Sequence, residues 1–184
     1  MTQNQIIAVI LAVLTVAAVF LFYLRTQRSK KLRERFGPEY DRAVSEAGSA
    51  RGEARLQKLE RRVNKYRIRP LEPTARDRYL QRWREMQAKF VDEPHDAVRT
   101  ADQLLGEVMT ARGYPVADFE QQADDLSVNH PLVIEHYRAG HAVAMRHVQG
   151  QASTEDLRQA LIHYRALFNE LVEEPVRADA AISY

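Results

Sequence analysis

Residues 131–173 read PLVIEHYRAGHAVAMRHVQGQASTEDLRQALIHYRALFNELVE. Two amphipathic runs are joined here by the short turn Gly150-Gln151-Ala152. In the first, Val133 and Ile134, Tyr137, Ala144 and Met145, and Val148 recur at helical spacing and are expected inward. Pro131 is expected to open that helix, because its fixed φ and missing donor suit the first position. In the second run Ser153 is the predicted N-cap, Leu157, Leu161, Tyr164, Phe168 and Leu171 form the apolar stripe, and Pro175 closes it. So short a turn makes the two helices antiparallel neighbours. The tripeptide His-Tyr-Arg occurs at 136–138 and again at 163–165. With the turn centred near residue 151, Tyr137 lies level with Tyr164 or Arg165. A tyrosine-rich packing layer is the plain reading of that register, and a ligand pocket between the helices near Tyr137 and Tyr164 is the alternative.

Upstream, two more helices have the same character. Thr74 is expected to cap the first, with Asp77 three residues on, and Tyr79, Trp83, Met86 and Phe90 share one face. Asp92-Glu93-Pro94 turns the chain into the second, whose stripe is Val98, Ala101, Leu105, Val108 and Met109 and whose stop is Gly113. Between the pairs lies an irregular segment with a short helix expected over 117–126, its acids Asp118, Glu120, Asp124 and Asp125 reading as a solvated face. The alternating acids, central Gly and terminal Glu of a calcium loop are absent. No strand alternation and no Gly-rich hairpin turn occurs, so residues 74–173 are predicted to form an all-α antiparallel helical bundle, with a loose tail over 174–184.

Residues 25–73 form a basic helical region. Gly37-Pro38 breaks one helix and starts another, which carries Tyr40, Ala43, Val44 and Ala47 to a stop at Gly48. Residues 49–52 read as a weak linker. Leu56, Leu59, Val63 and Tyr66 then form one stripe, surrounded by Arg55, Lys58, Arg61, Arg62 and Lys65. Pro70 and Pro73 make the following segment extended.

Residues 6–24 read IIAVILAVLTVAAVFLFYL, with no charge, Gly or Pro. As a helix this run spans about 28 Å, close to a bilayer's hydrocarbon thickness. Its Ile, Val, Leu and Phe side chains favour insertion by about 4–8 kcal/mol before positional discounts. No basic residue precedes it, and it ends on Tyr23-Leu24-Arg25, unlike a cleaved signal peptide. An N-terminal transmembrane helix over 6–24 is therefore expected. Arg25, Arg28, Lys30 and Lys31 follow it, and the positive-inside rule keeps that side in the cytoplasm. Residues 1–5 are then extracytoplasmic, and the chain is a single-pass inner-membrane protein with a cytosolic C-terminal domain.

Charge is divided along the chain. Residues 25–69 hold 15 Lys and Arg against 6 Asp and Glu, a balance of +9, and residues 70–184 hold 12 against 19, a balance of −7. A lipid bilayer is the first partner this implies, with Arg25, Arg28, Lys30, Lys31, Arg55, Lys58, Arg61, Arg62 and Lys65 as the membrane-surface set. Nucleic acid is not expected, since exposed aromatics do not interleave with the basic residues. The absence of Cys removes disulfides, thiolate catalysis and Cys-ligated metal or cluster sites. His136, His141 and His147 share a helix at spacings of five and six, so no pair lies on one face as i, i+4 ligands would. Asp92, Glu93, His95 and Asp96 sit at a helix start, where the dipole favours acids. No nucleophile motif, phosphate loop or HExxH occurs, so no catalytic residue, metal or cofactor is expected.

Phe36-Gly-Pro-Glu-Tyr40, Ile68-Arg-Pro-Leu71, Gly113-Tyr-Pro-Val-Ala-Asp-Phe119 and Ser153-Thr-Glu-Asp-Leu157, in that order, resemble an uncharacterised family of small bacterial membrane proteins. The resemblance covers most of residues 31–172. It implies one N-terminal span and a helical remainder, and no site. Together these readings point to a membrane-tethered cytosolic helical module that binds an unidentified protein or its own copies, without catalysis. The alternatives are direct anionic-lipid binding by the basic half, and a small-molecule binder or enzyme with its site between helices.

Overall fold

The computed structural model describes the backbone of residues 3–173 and the side chains of residue 11 and residues 13–173. Among the described residues the chain is all-α, with no strand. The helices are α1 (Gln3–Phe36), α2 (Pro38–Ala47), α3 (Ser49–Val63), α4 (Pro73–Lys89), α5 (Pro94–Arg112), α6 (Phe119–Asn129), α7 (Ile134–Val148) and α8 (Thr154–Glu173). They fall into two compact units, Met1–Leu56 and Gln57–Tyr184. The expected 1–5 segment and the 174–184 tail with Pro175 lie wholly outside the residues whose side chains are described.

The expected transmembrane helix over 6–24 falls within α1 and is not supported there: among the described residues no helix is long and apolar enough to cross a membrane. The side chains of residues 6–10 and Ala12 lie outside the described set. From Val13 to Leu24 every residue is exposed, Phe22 to 74%.

In the first unit Leu32 and Phe36 of α1, Tyr40 and Ala43 of α2 and Leu56 of α3 are buried. Gly37 and Gly48 separate the helices as the sequence predicts. The expected linker over 49–52 is instead the first turn of α3. Gly52 explains this: a Cβ there would sit 2.6 Å from the Ala43 carbonyl oxygen, so glycine marks where α2 and α3 cross closely. The Glu53 carboxylate ties the three helices, accepting from Ser29 Oγ at 2.7 Å and from the Tyr40 hydroxyl at 2.9 Å.

In the second unit the core runs from Tyr79 to Val172 and is built mainly of α5, α7 and α8, with α4 against α5. The α4 stripe packs as predicted: Tyr79, Trp83 and Met86 are buried, Phe90 is half-buried, and the Trp83 ring stacks on Phe168 at 4.3 Å. The α5 and α8 stripes are buried throughout. Ser153 closes a reciprocal cap with Asp156, whose carboxylate accepts from the Ser153 backbone at 2.8 Å while Ser153 Oγ accepts from the Asp156 N–H.

Several boundaries differ from expectation. Thr74 does not cap α4: Pro73 occupies the first turn and Glu72 stands at the cap without a side-chain bond, because proline's fixed φ starts the helix unaided. The short helix is α6, shifted to Phe119–Asn129, with Asp118 as its cap accepting from the Gln121 N–H. Pro131 does not open α7. Residues 131–133 are a turn that reverses the chain after α6, and the helix begins at Ile134.

The inward face of α7 is also rotated. Met145 is 48% and Val148 78% exposed, whereas Ile134, Tyr137, Gly140 and Val143 are buried. Gly140 sets that face. A Cβ on it would lie 2.7 Å from the Tyr164 ring and 3.3 Å from the Ala160 carbonyl oxygen, so α7 and α8 meet most closely there.

Candidate functional site

The expected layer forms between α7 and α8. Tyr137 and Tyr164 meet with ring centroids 6.2 Å apart, and the flanking His136 and His163 with theirs 5.2 Å apart. Phe119 of α6 extends the layer, 5.0 Å from the Tyr137 ring and stacked on His141 at 3.6 Å. The Tyr137 hydroxyl donates to Gln122 Oε1 at 3.1 Å. The Tyr164 hydroxyl is buried beside the Asp102 carboxylate. Burial first, and the Asp102 carboxylate second, push both phenols up, so both stay neutral across the physiological range. Burial also holds the His141 imidazole below its ordinary value. The layer packs with a polar edge formed by the Tyr137 hydroxyl and the histidine rings.

The membrane-surface residues divide by environment. Arg25, Arg28, Lys30 and Lys31 are exposed on α1. On α3, Lys58 and Arg61 are exposed, as is Lys65 just beyond it. Arg55 is exposed but pairs with Glu46 at 3.2 Å. Arg62 is committed inward: its guanidinium donates to Asp125 Oδ1 from Nε at 2.8 Å and from Nη2 at 2.6 Å, while the Tyr66 hydroxyl donates to Oδ2 at 3.0 Å.

Asp125 corrects the reading of α6 as a solvated acidic face. Its side chain is 3% exposed. Asp124 and Glu120 pair with Arg138 at 3.3 and 3.2 Å, and Asp118 caps the helix. In the sequence Asp125 only adjoins the inward Leu126, and helix neighbours point to different faces, so nothing set it apart from Asp124. The segment after α3 is tied to the end of α5, since the Arg69 N–H donates to the Arg112 carbonyl at 2.9 Å. Arg112 is itself buried, and its Nη1 donates to the Leu171 carbonyl at 2.7 Å in the last turn of α8, where the dipole favours a cation.

The chain matches no family model, no curated protein and no solved structure.

The turn cluster at 92–96 does not gather around His95. No side chain caps α5, Asp96 pairs with Arg99 at 3.0 Å, and His95 stacks on His147 at 4.4 Å. A groove of about 290 Å³ between α4 and α5 is rimmed by Arg82, Lys89, Arg99, Glu85, Glu93 and Asp96. Its rim carries charges of both signs, and Arg82 donates to Glu107 through both terminal guanidinium nitrogens. Among the described residues no three His, Asp or Glu gather as a metal-binding group.

Proposed function

We propose that this chain is a membrane-tethered helical module whose second unit works in the cytosol as a non-catalytic platform for another protein. The observation that carries the reading is α1. Its residues from Val13 to Leu24 are exposed on every side, including Leu14, Val16, Val19, Phe20, Leu21 and Phe22. A helix apolar all round is stable when it is surrounded by an apolar medium, and lipid supplies one. Residues 6–24 act as the span, and Arg25, Arg28, Lys30 and Lys31 hold its inner end at the headgroups. The resemblance to small single-span bacterial proteins agrees with this reading. Alkaline carbonate washing of membranes tests it. The full chain should stay in the pellet, and a chain lacking residues 6–24 should leave it. Release of the full chain by the wash would refute the tether.

A second contribution comes from exposed basic side chains in the second unit. Lys58, Arg61 and Lys65 face solvent with Arg62 held by Asp125, and each contributes about 1 kcal/mol near an anionic leaflet. Vesicle flotation of residues 37–184 should show binding that needs anionic lipid and weakens with salt. Changing Lys58, Arg61 and Lys65 to Gln should abolish it, and equal binding to neutral vesicles would rule it out.

A further inference from the structure

Two neighbouring loops of the second unit carry exposed apolar residues at their tips. Val116 follows Pro115 in the loop after α5 and is 81% exposed, and Leu132 follows Pro131 in the turn before α7 and is 80% exposed. The loops lie side by side: Asn129 Nδ2 donates to the Tyr114 hydroxyl at 3.1 Å, and the Tyr114 and His130 rings are 6.4 Å apart. The segment after α3 joins the same end. The Arg69 N–H donates to the Arg112 carbonyl, and a Cβ on Gly113 would lie 2.4 Å from the Arg67 carbonyl oxygen. The exposed side chains of Arg67 and Arg69 therefore flank the loop that carries Val116.

We propose that this end of the second unit is a lipid-contacting tip: Val116 and Leu132 enter the headgroup–acyl boundary of an anionic leaflet while Arg67 and Arg69 bind its phosphates. The inference rests on the tether proposed above, which holds the unit near a bilayer. Charge selects the occupant. Residues 58–69 hold six Lys and Arg against one acid, Glu60, a balance of +5. Of the acids closest to Val116 in the chain, Asp118 accepts from the Gln121 N–H and Glu120 pairs with Arg138. Val91 and Val148 are also exposed, but they mark the opposite end. His95 at the start of α5 stacks on His147 at the end of α7, so Val148 is separated from Leu132 by the length of α7, about 22 Å. Residues 89–96 at that end carry Asp92, Glu93 and Asp96 against Lys89, the wrong sign for an anionic surface.

The two kinds of residue act in sequence. The pull of an anionic leaflet on Lys and Arg reaches about a Debye length, so the cations bring the end to the surface. Insertion of Val116 and Leu132 then removes their apolar surface from water at the acyl boundary. Each tip directly follows a proline, whose fixed φ leaves the loop less freedom to lose on insertion. The backbones behind the tips are held by the Tyr114–Asn129 and Arg69–Arg112 hydrogen bonds. Because a tether keeps the unit at high effective concentration beside the bilayer, so small a contact suffices to orient it.

The chain has no Cys, so a single introduced cysteine carries a single label. Val116→Cys, Leu132→Cys and Val148→Cys, all at exposed positions, are labelled with bimane in the full chain and reconstituted into liposomes of phosphatidylcholine and phosphatidylglycerol. Circular dichroism establishes that each variant is folded. The labels at 116 and 132 should be blue-shifted, quenched by nitroxide lipids and shielded from iodide supplied on both faces, while the label at 148 stays open to iodide. Arg67→Gln with Arg69→Gln, or liposomes of phosphatidylcholine alone, should return the labels at 116 and 132 to iodide. With the chain retained in the liposomes, labels at 116 and 132 as open to iodide as that at 148 would overturn the tip. Shielding from both quenchers would also overturn it, since a second copy or another protein surface then covers the loops. Insertion unchanged in neutral lipid would remove the role of the arginines and with it the choice of an anionic leaflet. Flotation reads the tether separately: loss of the full chain from the liposomes would refute the tether and the tip together.

Discussion

Trp83 and Asp125 set the contrast at the scale of residues. Trp83 was legible because Tyr79, Met86 and Phe90 repeat around it at helical spacing, and the ring is 4% exposed against Phe168. Trp83→Ala should cost about 3–5 kcal/mol, measured by chemical unfolding, and a change within error would deny the core. Asp125 was misread because a charge beside other charges looks solvated, and its partner Arg62 lies far away in sequence. Arg62→Ala should cost about 1–3 kcal/mol by leaving a buried carboxylate held by Tyr66 alone. A double-mutant cycle with Asp125→Ala should show positive coupling, and simple additivity would deny the pair. Titration gives a third expectation. His141 and His163 are both held below the ordinary histidine value of 6.5, chiefly by burial. As pH falls past that value the unfolded chain takes up protons that the folded chain resists, so their stabilising contribution is present above it and declines below it. Unfolding at pH 7.5 and pH 5.5 should show this loss, and His141→Gln should reduce it. Stability rising toward pH 5.5 in the parent and unaltered by that substitution would contradict the burial.

Helix identities followed from periodicity, and the misjudged elements share a physical cause. Glycine contributes nothing to a hydropathy stripe yet marks the closest backbone approach. Gly52 hid the first turn of α3, and Gly140 hid the true inward face of α7, so Met145 and Val148 were placed inside while they stand exposed. Proline starts were over-read at Pro131, where a chain reversal took precedence, and under-read at Pro73. Gly140→Ala is the test at this scale. Alanine favours a helix intrinsically, by about 1 kcal/mol. Its methyl meets the Tyr164 ring and the Ala160 carbonyl, so the net change should be a loss of about 1–3 kcal/mol. Thermal unfolding that shows the variant more stable than the parent would mean α7 and α8 do not meet there.

For the molecule as a whole, the sequence made the all-α bundle legible, because four apolar stripes of helical length with short connections have few other solutions. It left the sites obscure, since the groups that matter are brought together across helices: Arg62 with Asp125, and Ser29 with Glu53. The proposed tether rests on residues 6–24 and on the exposed apolar length of α1. Its direction rests on Arg25, Arg28, Lys30 and Lys31. Both are read at once by a paired reporter fused after Tyr184 in a bacterial host, one half active only in the periplasm and the other only in the cytosol. A membrane-bound fusion with the cytosolic half active and the periplasmic half silent is the predicted result. Periplasmic activity, or a fusion recovered in the soluble fraction, would contradict the account.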